Sequence, residues 1–406
     1  MTQATERFDG SFTQQEPIPE DGIAAALEVM RHGRLHRYNL APGEAGEAAR
    51  LEQEFATFTG ARYCLAVASG GQALAIALRA AGVGQGDTVL ANAFTLAPVP
   101  GAIAAVGATA HLVETTEALT IDLDDLAQQA AAAPAARVLL LSHMRGHICD
   151  MDRLVALCAE LGLTVVEDCA HTMGAAWNGT PSGRHGMFGC YSTQTYKHIN
   201  SGEGGLIVSD DASAMARAVL LSGSYMLYER HLAAPPTDAF DGLRLATPNM
   251  SARMDNLRAA ILRPQLARLA DRRAAWNARY VVVEDGLRGT PGVQLIERAE
   301  SETIVGSSIQ FLLPDWCAAD VRDVLARCAA RGVDLKWFGA DAPAGFTSRY
   351  DHWRYAAPRS LPRTDRILTG LIDMRLPLTF SLEDCALIAR IIRSEVLAVT
   401  QARAGR

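Results

Sequence analysis

Only two lysines occur in this 406-residue chain, Lys197 and Lys336, and arginine supplies the rest of its 38 basic residues. Lys197 lies in "STQTYKHINSGEGGLIVS" (residues 192–209), five positions after Ser192 and shortly before Gly202, Glu203, Gly204 and Gly205. A primary amine forms Schiff bases with carbonyl compounds when burial or nearby cations disfavour its ammonium form. A guanidinium cannot, because it stays protonated. An isolated lysine is usually a solvated surface charge, but a chain that uses arginine for that purpose weakens the explanation. His198, the next residue, is a second titratable group beside the amine.

Two other stretches carry complementary chemistry. In "VVEDCAH" (165–171) an apolar run ends in an acidic pair. Asp168 at a strand end can hold a protonated heterocyclic nitrogen, with His171 against the same ligand; acidic residues also commonly end strands or cap helices. In "ASGGQAL" (68–74), Ser69, Gly70 and Gly71 precede an apolar helical pattern. Free N–H groups and the helix dipole attract an anion there, although a plain tight turn uses the same residues. The stretch lacks the Gly-Lys-Ser/Thr ending of a P-loop, and Ser192 offers a further hydroxyl to a phosphate. Phosphate-cradling residues, an aspartate for a ring nitrogen and a Schiff-base lysine together specify pyridoxal 5'-phosphate.

The elements that must position these groups alternate along the chain. "YCLAVAS", "DTVLAN", "TAHLVE", "RVLLLSH", "LTVVED", "MFGCYS" and "GLIVS" read as strands, most of them separated by helical patterns. Such alternation predicts a mostly parallel α/β sheet covered on both faces, with ligands at the carboxyl ends of its strands. Leu51, Phe55 and Phe58 recur at helical spacing and predict one buried face. Residues 252–283 read as a long helix kinked near Pro264. The expected organisation is a loose N-terminal tail over 1–20, a large cofactor-binding domain over 21–262 and a smaller α+β domain over 263–406.

Composition narrows the function class. A net charge of −7 with both signs scattered and no basic patch interleaved with aromatics argues against nucleic acid. No apolar run reaches the ~18–20 residues of a membrane helix. The N-terminus has no apolar signal core, and eight cysteines without a Cys-x-x-Cys pair fit a reducing compartment. A cytoplasmic enzyme is expected.

The order "FATFTGARYCLAVASGGQALAIALRAAGVGQGDTVL", "VVEDCAHTMGA", "GMFGCYSTQTYKHINSGEGGLIVS" and "SARMDNLRAAILRPQLARL" resembles the DegT/DnrJ/EryC1/StrS sugar aminotransferases, of the pyridoxal phosphate fold type I shared with aspartate aminotransferase. The tail "LPRTDRILTGLIDMRLPLTFSLEDCALIARII" extends the likeness to roughly residues 18–395. The resemblance implies a cofactor-bound Lys197 that shuttles protons and an Asp168 that holds the pyridinium proton. It places Ala170 and His171 on a ring face, with Ser69, Gly70, Gly71 and Ser192 around the phosphate. It also implies a homodimer in which Asn249, Ser251 or Arg253 of the "NMSARM" loop serves the neighbouring site.

Several positions depart from the family pattern. Gly71 replaces a threonine, and Leu96 stands where an aromatic usually stacks, with Phe94 two residues earlier. Ser251 takes the place of the loop asparagine, and Arg145-Gly146-His147 replaces Tyr-Gly-Gln. Arg34, His36 and Tyr38 form an early loop within reach of a neighbouring site.

Two motifs are set aside. His143, His147, Cys149 and Asp150 match no standard metal spacing, so no metal is expected. "GVGQGD" follows a helix instead of a strand. Lys336 reads as a surface or edge-strand residue. The expected activity is transamination from an amino acid, glutamate or glutamine by the resemblance, to a keto sugar, keto cyclitol or related carbonyl. Dehydration, elimination or carbon–carbon chemistry on the same cofactor, and non-catalytic cofactor binding, are the alternatives.

Overall fold

The computed structural model describes residues 6–224, 226–344 and 347–404. Seven strands form one sheet in the order Tyr63–Val67, Gly205–Ser209, Phe188–Ser192, Thr164–Asp168, Val138–Ser142, Thr88–Asn92 and Thr109–Val113. Gly205–Ser209 runs antiparallel to both of its neighbours, and the pairings beyond Phe188–Ser192 are parallel. Side-chain alternation divides the core into two layers: Leu140 and Val166 face one, Leu139, Leu141 and Val165 the other. Because helices cover both faces, Val138–Ser142 and Phe188–Ser192 are buried at every position.

The helix Glu47–Thr59 buries Leu51 and Phe55 completely. Phe58 departs from expectation at 39% exposure. The buried stripe is Ala48, Leu51, Glu52, Phe55, Ala56 and Thr59, and Phe58 sits at its edge.

The long helical run is two helices, Asn256–Ala267 and Leu269–Leu287. Their junction is Arg268, one turn beyond the expected kink at Pro264. There the backbone tightens, with Arg268 N–H bonding to Gln265 O at 3.2 Å while the Arg268 guanidinium takes the Pro264 carbonyl at 2.8 Å. Leu262, Leu266, Leu269 and Trp276 pack into the large-sheet core, whereas Tyr280, Val283 and Leu287 join a second core. The core therefore changes within the second helix, not at residue 263.

That second core lies on one face of an antiparallel sheet ordered Gln294–Leu295, Ser308–Leu312, Leu371–Arg375 and Lys336–Trp337. Ile309, Phe311, Ile372 and Met374 point into it.

The N-terminal segment is not a loose tail from residue 6 onward; residues 1–5 lie outside the described residues. Phe8 and Phe12 are buried in the second core, edge-on to each other and to Phe380 at centroid distances of 4.8–5.7 Å. Phe8 N–H bonds to Arg331 O at 2.8 Å. The two aromatics, with ion pairs from Glu6 to Arg390 and from Glu16 to Arg272 at 2.9 Å each, tie the segment down. Among the described residues, no helix is long and apolar enough to cross a membrane.

Candidate active site

Five parallel strands end on one rim of the large sheet, and each is followed by a residue that lines a common cavity. Val67 leads to Ser69, Asn92 to Leu96, Ser142 to Arg145, Asp168 to His171 and Ser192 to Lys197. The cavity measures about 890 Å3. An adjoining pocket of about 80 Å3 shares Gly70, Gly71, Ser192 and Lys197 and adds Asp168 and Ala170. The opposite wall comes from the small sheet, through Lys336 and Arg375, and from residues 12–16 of the N-terminal segment.

Lys197 rides on a loop pinned at its base. Thr193 N–H bonds to Gly204 O at 2.9 Å and Thr195 N–H to Gly202 O at 3.1 Å. Gly204 is required, since its φ is +157° and a Cβ there would lie 2.2 Å from Thr193 Oγ1. Lys197 Nζ donates to His171 Nε2 at 3.2 Å. Burial pushes the amine down to about 8; Asp168 opposes this, while Arg145 and Arg375 add to it. Burial, then Lys197, push the His171 imidazole well below its ordinary value, so it stays neutral and accepts.

Asp168 ends its strand with Oδ2 accepting from Ser142 Oγ at 2.8 Å and Oδ1 from Ala170 N–H at 3.1 Å. Its neighbour Glu167 points to the other face. There it accepts from His185 and Gly186 N–H at 2.8 Å, Gly183 N–H at 2.9 Å and His143 Nε2 at 3.0 Å. His143, Glu167 and Cys169 bring potential metal-ligand atoms within 4.8 Å of one another. Both oxygens of Glu167 are already engaged and burial pushes the Cys169 thiol well up, so the trio reads as a structural knot.

Ser69 caps the helix Gly70–Ala80, its side chain accepting from Gln72 N–H at 3.1 Å. Gly70 and Gly71 form the first turn, where N–H groups have no intrahelical acceptor, and both line the cavity. A Cβ on Gly70 would lie 2.8 Å from Ser192 Cβ, so glycine lets helix and strand end close up. At Gly71 the nearest atom to an added Cβ is Ser69 Oγ at 3.9 Å, so the missing threonine leaves open space.

Other expected site residues lie elsewhere. Phe94 is buried with its ring edge-on to Phe338 at 5.1 Å, and Leu96 takes its place on the cavity. Tyr38 is sealed in the interior, bonded to Ser224 and to His231 Nε2. Arg34 pairs with Glu44 at 3.0 Å. Asn249 bonds Ser251 N–H at 2.8 Å and Arg253 bonds Gly223 O at 2.9 Å; neither they nor Ser251 lines the cavity of their own chain. His198 does line it, buried edge-on to Trp276 with Nε2 3.1 Å from Ser307 Oγ; burial and Lys197 push it down to about 3.

Four cavity cations escaped the sequence reading: Arg145, Arg375, Lys336 and Arg272, the last paired with Glu16 at 2.9 Å. Arg145 was visible as a departure from a family pattern, and Lys336 as the second of two lysines; neither signal named a role.

The model of the DegT/DnrJ/EryC1/StrS aminotransferase family matches residues 18–393. The chain belongs to this family. Among its relatives in the family is 3-amino-5-hydroxybenzoate synthase of Amycolatopsis mediterranei, 32% identical over 70% of this chain and 69% of that protein. Another is L-glutamine:2-deoxy-scyllo-inosose aminotransferase of Streptoalloteichus tenebrarius, 32% identical over 67% of this chain and 65% of that one. The structure of S. venezuelae DesV in complex with a ketimine intermediate superposes with a TM-score of 0.79 at 26% identity, covering 96% of this chain and 98% of that one. This member of the DegT/DnrJ/EryC1/StrS family is a pyridoxal-phosphate-dependent aminotransferase that acts on a small-molecule amino donor and a keto acceptor. Its cavity fits the cofactor chemically: a helix start with free N–H groups, a carboxylate and a desolvated amine border one pocket.

Proposed function

We propose that this aminotransferase moves the amino group of L-glutamine or L-glutamate to a ketone on a sugar, cyclitol or related ring, with Lys197 as the working base. The observation that carries the reading is the Lys197 amine, held at about 8 and bonded to a neutral His171. Near neutral pH an appreciable fraction of such an amine is unprotonated, as a base that shuttles protons requires. Pyridoxal phosphate, when bound, supplies the carbonyl that captures amines and a ring that withdraws electrons.

The remaining assignments follow the donor set. Ser69, the N–H groups of Gly70 and Gly71, and Ser192 hold the phosphate. Asp168, fixed by Ser142 and Ala170 N–H, holds a proton on the ring nitrogen. Leu96, Ala170 and His171 flank the ring. Lys197 Nζ would move the proton between the substrate carbon and the cofactor carbon.

The functional unit in this reading is a homodimer. The helix Glu20–His32 exposes Ile23, Leu27 and Met30 at 38%, 41% and 51%, spaced four and three apart. Such an unpartnered stripe suits a subunit interface. Asn249, Ser251 and Arg253, which do not face their own cavity, then serve the partner's. Eight free cysteines, seven of them buried, support a cytoplasmic setting.

Incubation with α-15N-labelled L-glutamine and a panel of cyclic ketones tests the reading. Amine product carrying 15N is expected. Consumption of a ketone with no 15N incorporated would overturn transamination in favour of dehydration or elimination.

A further inference from the structure

The small-sheet wall of the cavity carries charge that amino transfer at Lys197 does not use. In the register of its strands, Gln310 and Lys336 both lie opposite Asp373, and Ser308 lies opposite Arg375. Alternation puts Asp373 and Arg375 on one face of their strand, with Ile372 and Met374 turned into the core behind. Lys336, Ser308 and Arg375 line the cavity. Arg145 approaches from the large domain in a left-handed conformation (φ 55°, ψ 20°) that is costly for a residue with a side chain. Its Nη2 lies 2.8 Å from Asp373 Oδ2.

Three cations therefore gather around two carboxylates, Asp373 and, beside Lys336, Asp334, and positive charge stays in excess. Asp373 is fully buried, and its other oxygen accepts from Gln310 Nε2 at 2.7 Å. Among the described residues, neither Arg375 nor Lys336 has an ion pair; the Arg375 guanidinium instead lies over the Tyr196 ring, 4.0 Å from its centroid. Burial and then Arg145 push Arg375 down to about 10, as expected where positive charge is in excess. Arg145 and Arg375 also both weigh on the Lys197 amine, so the surplus sits beside the reacting group.

We propose that Arg375, with Lys336 and Arg145, forms a subsite for a carboxylate on the acceptor, a few bonds from its reacting ketone. The inference rests on the aminotransferase reading and narrows its acceptor to a carboxylated ring ketone. A planar guanidinium fixed over an aromatic ring presents two parallel N–H groups to a carboxylate. An acceptor whose only charge sat on a remote diphosphate would leave these cations unanswered. The donor's α-carboxylate is the other possible source of the same charge, and the test separates the two.

The test uses enzyme loaded with pyridoxamine 5'-phosphate, titrated calorimetrically with 3-oxocyclohexanecarboxylate and, separately, with its carboxamide. The wild type should bind the carboxylate about 10–100-fold more tightly, the range of a charge-assisted hydrogen-bonded pair. In Arg375→Ala the preference should fall to within about threefold. Arg375→Lys should retain part of it, and Lys336→Met, which leaves Tyr196 untouched, should lose part of it. The proposal is overturned if the wild type binds both ketones alike, or if the preference survives Arg375→Ala. It is equally overturned if Arg375→Ala impairs only the reaction with L-glutamine, because the subsite would then belong to the donor. Loss of the visible cofactor band when L-glutamine is added to pyridoxal phosphate enzyme, alongside equal ketone binding, would sink the subsite and leave the aminotransferase reading intact.

Discussion

Two buried clusters in this protein use the same ingredients and end in opposite states. Around Glu52, Arg37 donates to both carboxylate oxygens at 2.9 and 2.8 Å, Ala66 N–H adds 2.8 Å, and His231 Nδ1 lies at 2.9 Å. Tyr38 closes the far side by donating to His231 Nε2 at 2.6 Å. Burial alone would raise the Glu52 carboxyl, but Arg37 and His231 outweigh it and hold it at about 2. Around the cavity, Lys197 has one nitrogen partner in His171, Asp168 has two donors, and Arg375 has an aromatic ring in place of a carboxylate. A buried charge whose hydrogen bonds are complete holds a fold together. One left incomplete beside a cavity marks where a ligand supplies the rest.

Substitutions that break each cluster should separate these roles. The largest effect is expected from Lys197→Ala, which should lower turnover by roughly 10⁴-fold or more. Its unfolding midpoint should not fall, because it removes an amine that burial disfavours. Glu52→Gln should do the reverse, costing about 3–5 kcal/mol of stability by leaving Arg37 buried without its counter-ion, with turnover per folded molecule preserved. Denaturant titration and active-site-normalised rates read the two together.

The contrast has a pH signature. Because the folded Glu52 carboxyl is depressed from 4.5 to about 2, its stabilisation is complete above the unfolded value and fades as pH falls from there toward 2. Glu52→Gln should therefore lose stability less steeply than the wild type between neutral and acid pH. Smaller again, Asp168→Asn should slow turnover by about 10²-fold through loss of the charge opposite the ring nitrogen, a change visible in single-turnover kinetics. The smallest effect is Gly71→Thr. Its side chain enters open space, and one added hydroxyl bond, worth about 0.5–1.5 kcal/mol, should tighten cofactor retention up to about tenfold by dialysis assay.

The same contrast explains what the sequence could disclose. Lys197, Asp168 and Ser69 each sit at or just past the end of a short apolar strand, so their placement depends on local signals: a strand, a turn, a helix start. Tyr38 misled because its partners Ser224 and His231 lie 186 and 193 residues away, and nothing near it announces a sealed cluster. Phe94 misled by two residues, enough to turn a ring into the core while Leu96 takes the cavity. Arg375 was unreadable for a related reason. It faces the cavity only because two antiparallel strands bring Ser308 and Lys336 alongside it and its strand, and the large domain then closes over them with Arg145. Aromatic spacing at Phe8 and Phe12 was the one available hint that the N-terminal segment is held, and it needed Phe380 to become a cluster.

The central claim, that Lys197 is the amine that joins the cofactor, has an unusually direct test because the chain offers just two lysines. Holoenzyme is reduced with borohydride, digested and mapped by mass spectrometry. The account predicts the reduced cofactor on Lys197 alone and no attachment in Lys197→Ala. Cofactor fixed to Lys336, or trapped in Lys197→Ala to the same extent as in the wild type, would contradict it.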